Sequence, residues 1–408
     1  MLTSARQRQS EDTRELLDNL GEFARTLRDH LGLDIVFISR FGRDYQTFEV
    51  VEACESITPP PFETSDRIAI EKSYCKRVAD GKLPALIHDV ETNTKVPDIE
   101  EVNRLKIRTH LSVPICLSDG RIFGSICGFS YKVVPELNQR DVQLVKLFAD
   151  FVARHIENLE QRSADMDHQE ADIQQIIDDG LFQTMMQPIT RLEDKTIVGF
   201  EVLTRFNQEP RMAPNEWFEQ ASCVGLLETL EITVIKNALS KLQIPEKEYF
   251  FSFNFSADTI VAPQFKDWID SVSGYRIIIE LTEHDAVHNY VELREAVEAF
   301  RQGGVRLAID DLGSGYASFA KLIELTPDIF KIDASIVSGI DEDDRKKALV
   351  SALVEYARIT EIQLVAEGIE NHRELDVLKR IGVELGQGFH LGKPMPPIDY
   401  FNLAPATN

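Results

Sequence analysis

The 408-residue sequence predicts an α/β protein in two parts, an α/β unit around an antiparallel sheet followed by an eight-stranded β/α barrel. Three observations carry this expectation. The chain is too long for one ordinary core. Up to residue 160, helical and strand-like runs alternate, with "SDG" between two apolar runs as a hairpin signal. After Gly180, eight short apolar runs alternate with helical stretches, the pattern of a parallel sheet covered on its outer side.

In chain order, "TRELLDNLGEFARTLRDHLG" has apolar residues at helical spacing and a glycine stop, while "LDIVFISRF" and "FEVVEA" read as strands. "SYCKRVADGKLPALIHDV" reads as a helix and a short strand. "IRTHLSVPICL" and "GRIFGSICGFS" follow as strands, then the helix "NQRDVQLVKLFADFVARHIENLEQ". From Val145 onward, Ala149, Val152, Ile156, Leu159, Ser163, Met166, Glu170, Ile173 and Ile177 alternate spacings of four and three. That seam suits pairing with a second copy of the helix, weakened by Ser163 and Glu170, or an ordinary amphipathic connector. The eight barrel runs are "TMMQPIT", "IVGFEVL", "YFFSFNF", "YRIIIEL", "VRLAIDD", "DIFKID", "IQLVAEG" and "ELGQGFH".

In such a barrel, chemistry sits at the C-terminal ends of the strands. Glu201, Asn254, Glu280, Asp310, Asp311 and Glu367 close their runs there, and Lys331 and Gln387 lie within theirs. Any one Asp or Asn at a strand end is ordinarily a helix cap or turn former. A glutamate finishing "RIIIE" needs a partner or a cation, because a carboxylate amid apolar packing is costly. The donor set is all oxygen plus one ammonium, which fits Mg²⁺ or Mn²⁺ and not zinc. Adjacent Asp310 and Asp311 suit a two-cation site, in which paired ions stabilise the attacking and leaving oxygens of a phosphoryl displacement and Lys331 steadies the water or the developing charge.

The bulk numbers bound the partners. With 43% hydrophobic and 27% charged residues and no apolar run near the ~18 residues of a membrane span, the sequence reads as a soluble protein without membrane insertion. The polar N-terminus has no secretory pattern, so a cytoplasmic location is expected. A formal charge of −24 disfavours a nucleic-acid polymer but admits a small anion carried by cations. Five cysteines without a CxxC, most in apolar segments, read as reduced, buried thiols.

At these strand ends the sequence resembles the EAL family of cyclic di-GMP phosphodiesterases over roughly 179–400. The signature appears as Glu201-Val202-Leu203 within "EVLTR", with Val for the middle Ala. "QPI", "NFS", "ELTE", "DDLGSGYAS", "PDIFKID", "AEGIE" and "GQGF" occur in the family's order, and the ending "GKPMP" resembles its terminal motif. The resemblance implies a modified (β/α)8 TIM barrel with one antiparallel strand, and hydrolysis of cyclic di-GMP to the linear dinucleotide with two Mg²⁺ or Mn²⁺ ions. It implies Glu201, Asn254, Glu280 and Asp310 as ligands of one ion, and Asp310, Asp311 and Glu367 around the second. It makes Glu367 the general base, sets Lys331 on the water, and points to Gln187, Glu201, Leu203, Arg205 and Gln387 as substrate contacts. Glu283 and Glu370 would brace the loop and neighbouring ligands. Leu312 stands where the family's loop has Phe, a departure that bears on regulation. A non-catalytic cyclic di-GMP receptor, an enzyme held off until its sensor binds, and a general nuclease are the alternatives.

Roughly 15–160 resembles a GAF domain, a small-molecule sensor whose ligand the sequence leaves unknown. Cys75 is followed by Lys76, not the histidine of a bilin-attachment site, and is read as structural. His88 and His110 read as fold histidines rather than heme ligands. The expected organisation is a tail (1–14), a GAF-like domain (15–160), a helical linker (161–178) and the barrel (179–404), dimeric through the linker helix.

Overall fold

The computed structural model describes residues 20–93, 105–241, 249–272, 274–281, 289–312 and 322–403. Two compact units part within one long helix, at Asp167 and His168.

The first unit is a six-stranded antiparallel sheet built from β1 (Ile35–Phe41), β2 (Tyr45–Ala53), β3 (Arg67–Ala69), β4 (Leu86–Ile87), β5 (Thr109–Cys116) and β6 (Ile122–Ser130), in the order β3-β2-β1-β6-β5-β4. Strand alternation gives the sheet two buried faces. Ile38, Val50, Val113 and Ile126 pack with helix α1 (20–31) and the start of the long helix. Phe37, Phe48, Cys127 and Phe129 pack on the other side with α2 (Tyr74–Ala79). Ser73 caps α2 by accepting a hydrogen bond from the Lys76 N–H at 2.9 Å.

Helix α3 (Gln139–Asp179) runs unbroken for 41 residues. Val145, Ala149, Val152 and Ile156 of the predicted seam are buried in the core of the first unit, and Ile173 in that of the second. Those seam positions therefore serve the chain's own cores. The expectation of buried thiols holds for Cys75 and Cys127 only. Cys116 and Cys223 are exposed, each as the last residue of its element, β5 and the helix Pro214–Cys223.

The second unit is a closed barrel of β7 (Phe182–Arg191), β8 (Ile197–Phe206), β9 (Phe250–Phe255), β10 (Arg276–Leu281), β11 (Arg306–Leu312), β12 (Ile329–Ile332), β13 (Gln363–Ala366) and β14 (Leu385–Gly386). The eight runs read from the sequence are these strands. β7 is antiparallel to both β14 and β8 and the other pairs are parallel, so one strand is reversed, as expected.

Two-residue alternation divides the strands between inside and outside. Phe251, Phe253 and Phe255 of β9 face the helical layer with Trp268 and Phe265. Inside, Ile189, Phe250, Ile278, Ala308, Ile329, Val365 and Leu385 form one apolar plug across seven strands, joined by Val198 of β8. Gly199 leaves room for the Phe250 ring, which an added Cβ would strike. The outer helices are cut by local chemistry. In α4 (His372–Ile381), Asn371 and Glu374 close a capping box and Gly382 ends the helix at φ 100°.

Candidate active site at the barrel rim

One pleat beyond the apolar plug, the inward position of each strand turns polar. Gln187 follows Ile189 on the reversed β7, Glu280 follows Ile278, Asp310 follows Ala308, Lys331 follows Ile329, Glu367 follows Val365, and Gln387 follows Leu385. Phe250 is succeeded inward by Ser252 and Asn254. Glu201 enters from β8 opposite Gln187, and Glu280 lies beside Asn254.

The residues converge on the Lys331 ammonium, which is 1% exposed. It lies 2.7 Å from Glu367 Oε1, 2.9 Å from Glu280 Oε2, 3.1 Å from Asp310 Oδ1 and 3.5 Å from Glu201 Oε2. Asn254 Nδ2 donates to Glu201 Oε1 at 3.2 Å, and Gln387 Nε2 donates to Glu201 Oε2 at 2.5 Å and to Gln187 Oε1 at 3.0 Å. Ser252 donates its hydroxyl proton to Glu280 Oε1.

The paired aspartates have a backbone explanation. Ile309 pairs with Phe330 and Leu312 with Ile332, so Asp310 and Asp311 together oppose Lys331. A bulge of this kind re-aims a side chain at a strand end and locally interrupts pairing. The Asp310 carboxylate reaches Lys331, while Asp311 is described by its backbone alone. Asn254 and Asp310 are not spent on helix caps; those fall to Ser256, Asp333 and Asn371.

Four carboxylates share one ammonium, and their proton affinities show the imbalance. Burial pushes Glu280 up to about 8, helped by Glu201 and Asp310 against the pull of Lys331. Burial also holds Glu367 well above the usual carboxylate range. At Glu201 burial acts the same way but is outweighed by Lys331, Gln387 and Asn254, so its carboxyl lies below its ordinary value. Burial would lower Lys331, yet the surrounding carboxylates hold it well above its ordinary value. A buried oxygen set that must take up protons to shed negative charge is one that accepts cations. With the carboxylates turned to Lys331, the described residues hold no cluster of three or more His, Cys, Asp or Glu ready to cage an ion.

A cavity of about 300 Å³ opens above this cluster, lined by Gln187, Glu201, Leu203, Asp310, Glu367, Glu370 and Gln387. Arg205 is exposed at the end of β8, with its guanidinium on the Thr204 carbonyl at 2.8 Å. Glu370 is exposed and donates its backbone N–H to buried Glu374. Glu283 lies outside the described residues. Sequence reasoning missed Ser252, whose inward place follows from the two-residue period that also sets Asn254. It missed Phe389 as well, 58% exposed at the cavity mouth with Lys393 Nζ 5.5 Å from its ring centroid. Gly388, at φ 156° against the Ile369 backbone, carries the chain tightly from Gln387 to Phe389.

A closed β/α barrel with one reversed strand and an acid-rich C-terminal rim around a buried lysine defines the class of protein. Residues 170–394 match the family described as EAL domain, more than half of the chain, and the protein belongs to that family. Residues 15–156 match the GAF domain. Among curated proteins, the chain is 28% identical over 243 residues to "Cyclic di-GMP phosphodiesterase PdeF" of Escherichia coli K12, covering 56% of this chain and 32% of that protein. The chain thus spans about a third of that relative's length. Among solved structures, "PaMucR Phosphodiesterase, c-di-GMP complex" aligns with TM-score 0.50 and 25% identity over 57% of this chain and 99% of that one. An EAL domain protein from Listeria monocytogenes EGD-e shares the fold, with TM-score 0.52 and 22% identity over 57% of this chain and 96% of that one. No described helix is long and apolar enough to cross a membrane.

Proposed function

We propose that the barrel hydrolyses cyclic di-GMP to the linear dinucleotide with divalent cations, Mg²⁺ or Mn²⁺. The observation that carries this reading is the excess of buried carboxylate over ammonium at the rim: Glu201, Glu280, Asp310 and Glu367 around Lys331. The all-oxygen donor set fits hard cations, and Glu201, Asn254, Glu280, Asp310, Asp311 and Glu367 would hold two of them. Bound there, the ions supply positive charge to the phosphodiester oxygens and acidity to an attacking water. The names of the matched phosphodiesterase and of the complex with c-di-GMP support the choice of substrate.

The chain's own residues do the rest. Lys331 gathers the carboxylates and faces the charge that builds on phosphorus. Glu367 takes the proton of the water, and burial raises its proton affinity in the direction a general base needs. Gln387 and Asn254 fix the orientation of Glu201. Gln187, Leu203 and Arg205 contact the substrate, and Phe389 offers an exposed ring for a base to stack on. Glu370 would brace the neighbouring loop, and for Glu283, outside the described residues, that role rests on the resemblance alone. Control by the N-terminal unit would pass along α3, whose continuity supports that part of the reading.

The test is a product assay on purified protein. Linear dinucleotide should form with Mg²⁺ or Mn²⁺, and fall to background with EDTA or in Asp310→Ala. Metal-free binding of cyclic di-GMP without any product would replace the enzyme with a receptor.

A further inference from the structure

We propose that Cys75 and Cys127 form a peroxide-reactive thiol pair that closes to a disulfide on the wall of a cavity in the N-terminal unit. Cys75 sits in α2 and Cys127 in β6, and their sulfurs lie 2.6 Å apart. That is closer than two unrelated thiols approach, and just outside the about 2.05 Å of a disulfide bond. It is also too close for a metal ion between two thiolates, each about 2.3 Å from its zinc.

The surroundings differentiate the two sulfurs. Both residues are buried, but Cys75 lines a cavity of about 330 Å³ walled by Phe37, Phe48, Phe129, Tyr74 and His110, which gives a small oxidant a route. His110 Nε2 lies 3.9 Å from Cys75 Sγ, while its Nδ1 has no hydrogen-bond partner among the described residues. Burial raises the proton affinity of Cys75, but the Cys127 hydrogen bond and His110 outweigh it and hold the thiol well below its ordinary range. Burial holds Cys127 well above that range. Cys127 Sγ also lies 3.0 Å from the hydroxyl oxygens of Ser112 and Ser125. One sulfur is thus prepared as a nucleophile and the other as a protonated resolving thiol, the arrangement of redox-reactive cysteines.

The chemistry balances with a hydroperoxide as the oxidant. The Cys75 thiolate attacks one peroxide oxygen, the O–O bond breaks, and hydroxide leaves and is protonated to water, giving a sulfenic acid. The Cys127 sulfur attacks the sulfenic sulfur, the S–S bond forms, the S–O bond breaks, and the oxygen departs with the Cys127 proton as a second water. Two thiols lose two electrons and one hydrogen peroxide gains them.

The experiment uses the full chain, reduced, desalted and titrated with hydrogen peroxide, then digested in acid without reductant for mass spectrometry. The expected result is a Cys75 peptide linked to a Cys127 peptide, two hydrogens lighter and released by dithiothreitol. It should form at lower peroxide than oxidation of exposed Cys116 and Cys223. In Cys127→Ser, or Cys127→Ala if that folds better, Cys75 should instead gain a dimedone adduct. Free Cys75 and Cys127 peptides in wild-type chain whose Cys116 and Cys223 are already oxidised would overturn the proposal, with no variant needed.

Discussion

Two of the places where the protein buries polar groups do so by opposite means. At the barrel rim the buried groups are charged and do not balance: four carboxylates face one ammonium. In one network of the N-terminal sheet they are neutral and closed on one another. Ser73 donates to Gln46, Gln46 Nε2 donates to Ser39 Oγ at 2.8 Å, and Ser39 lies 3.2 Å from Ser125 Oγ. A neutral network satisfied by its own members stabilises a fold and asks for nothing more. An unbalanced set of buried charges is expensive and leaves room for a ligand of the opposite sign.

Replacing Lys331 tests that difference with the largest effect. Lys331→Ala strands the carboxylates and should cost metal-free protein about 3–5 kcal/mol in a denaturant titration. Its cyclic di-GMP turnover should fall by roughly a hundred- to a thousandfold. Added Mg²⁺ should recover part of the stability, because cations then occupy the excess charge. If the variant melts like the wild-type chain without metal, the rim is not held against unbalanced charge and the comparison collapses.

The backbone that delivers the rim residues is the next place to press. Gly388→Ala drives a Cβ into the Ile369 backbone at a conformation suited to glycine, and should cost roughly 3 kcal/mol in the same titration. Because Gln387 is the preceding residue, turnover should fall beyond what the loss of folded protein explains. Unchanged turnover per folded molecule would free the Gln387–Glu201 contact from any need for this tight passage.

The neutral network should yield less. Gln46→Leu keeps the bulk and leaves Ser39 and Ser73 short of a partner, at a cost of about 1–3 kcal/mol. A loss above that of Lys331→Ala would reverse the ranking of charged over neutral burial on which the comparison rests.

How much of this was readable from sequence follows the same line. The barrel strands stand out because they are buried on both faces, and the polar residues at their ends stand out against that apolar run. Glu280, Lys331, Glu367 and Gln387 needed only strand ends on a common rim, whereas Gln187, on the reversed strand, came from the family resemblance alone. What was lost depended on distance along the chain. Cys75 and Cys127 are 52 positions apart, and no spacing rule brings α2 onto β6. Ser252 was passed over because a serine within "FFSFNF" looks like an interruption until its neighbour Glu280 is known. The seam along α3 was legible as a period, but a period does not say which surface it meets, and Val145 through Ile156 meet the chain's own sheet.

The smallest effect belongs to a third kind of polar contact, one half open to water. Arg108 grips Asp89 with Nε and Nη2 at 3.0 and 2.9 Å near the β4–β5 edge. The guanidinium holds the Asp89 carboxyl below its usual value, against the opposing effect of burial. A depressed folded-state value means the contribution is present above the unfolded value of about 3.9 and is lost as pH falls through the folded one. Asp89→Asn should therefore differ slightly from wild type at neutral pH, and the two stability curves should converge below about pH 4. Added salt should narrow the neutral-pH gap, since exposed charges are screened. A gap that persists in acid and in salt would mean that Asp89 acts by shape or by its bond to the Glu91 backbone, not by charge.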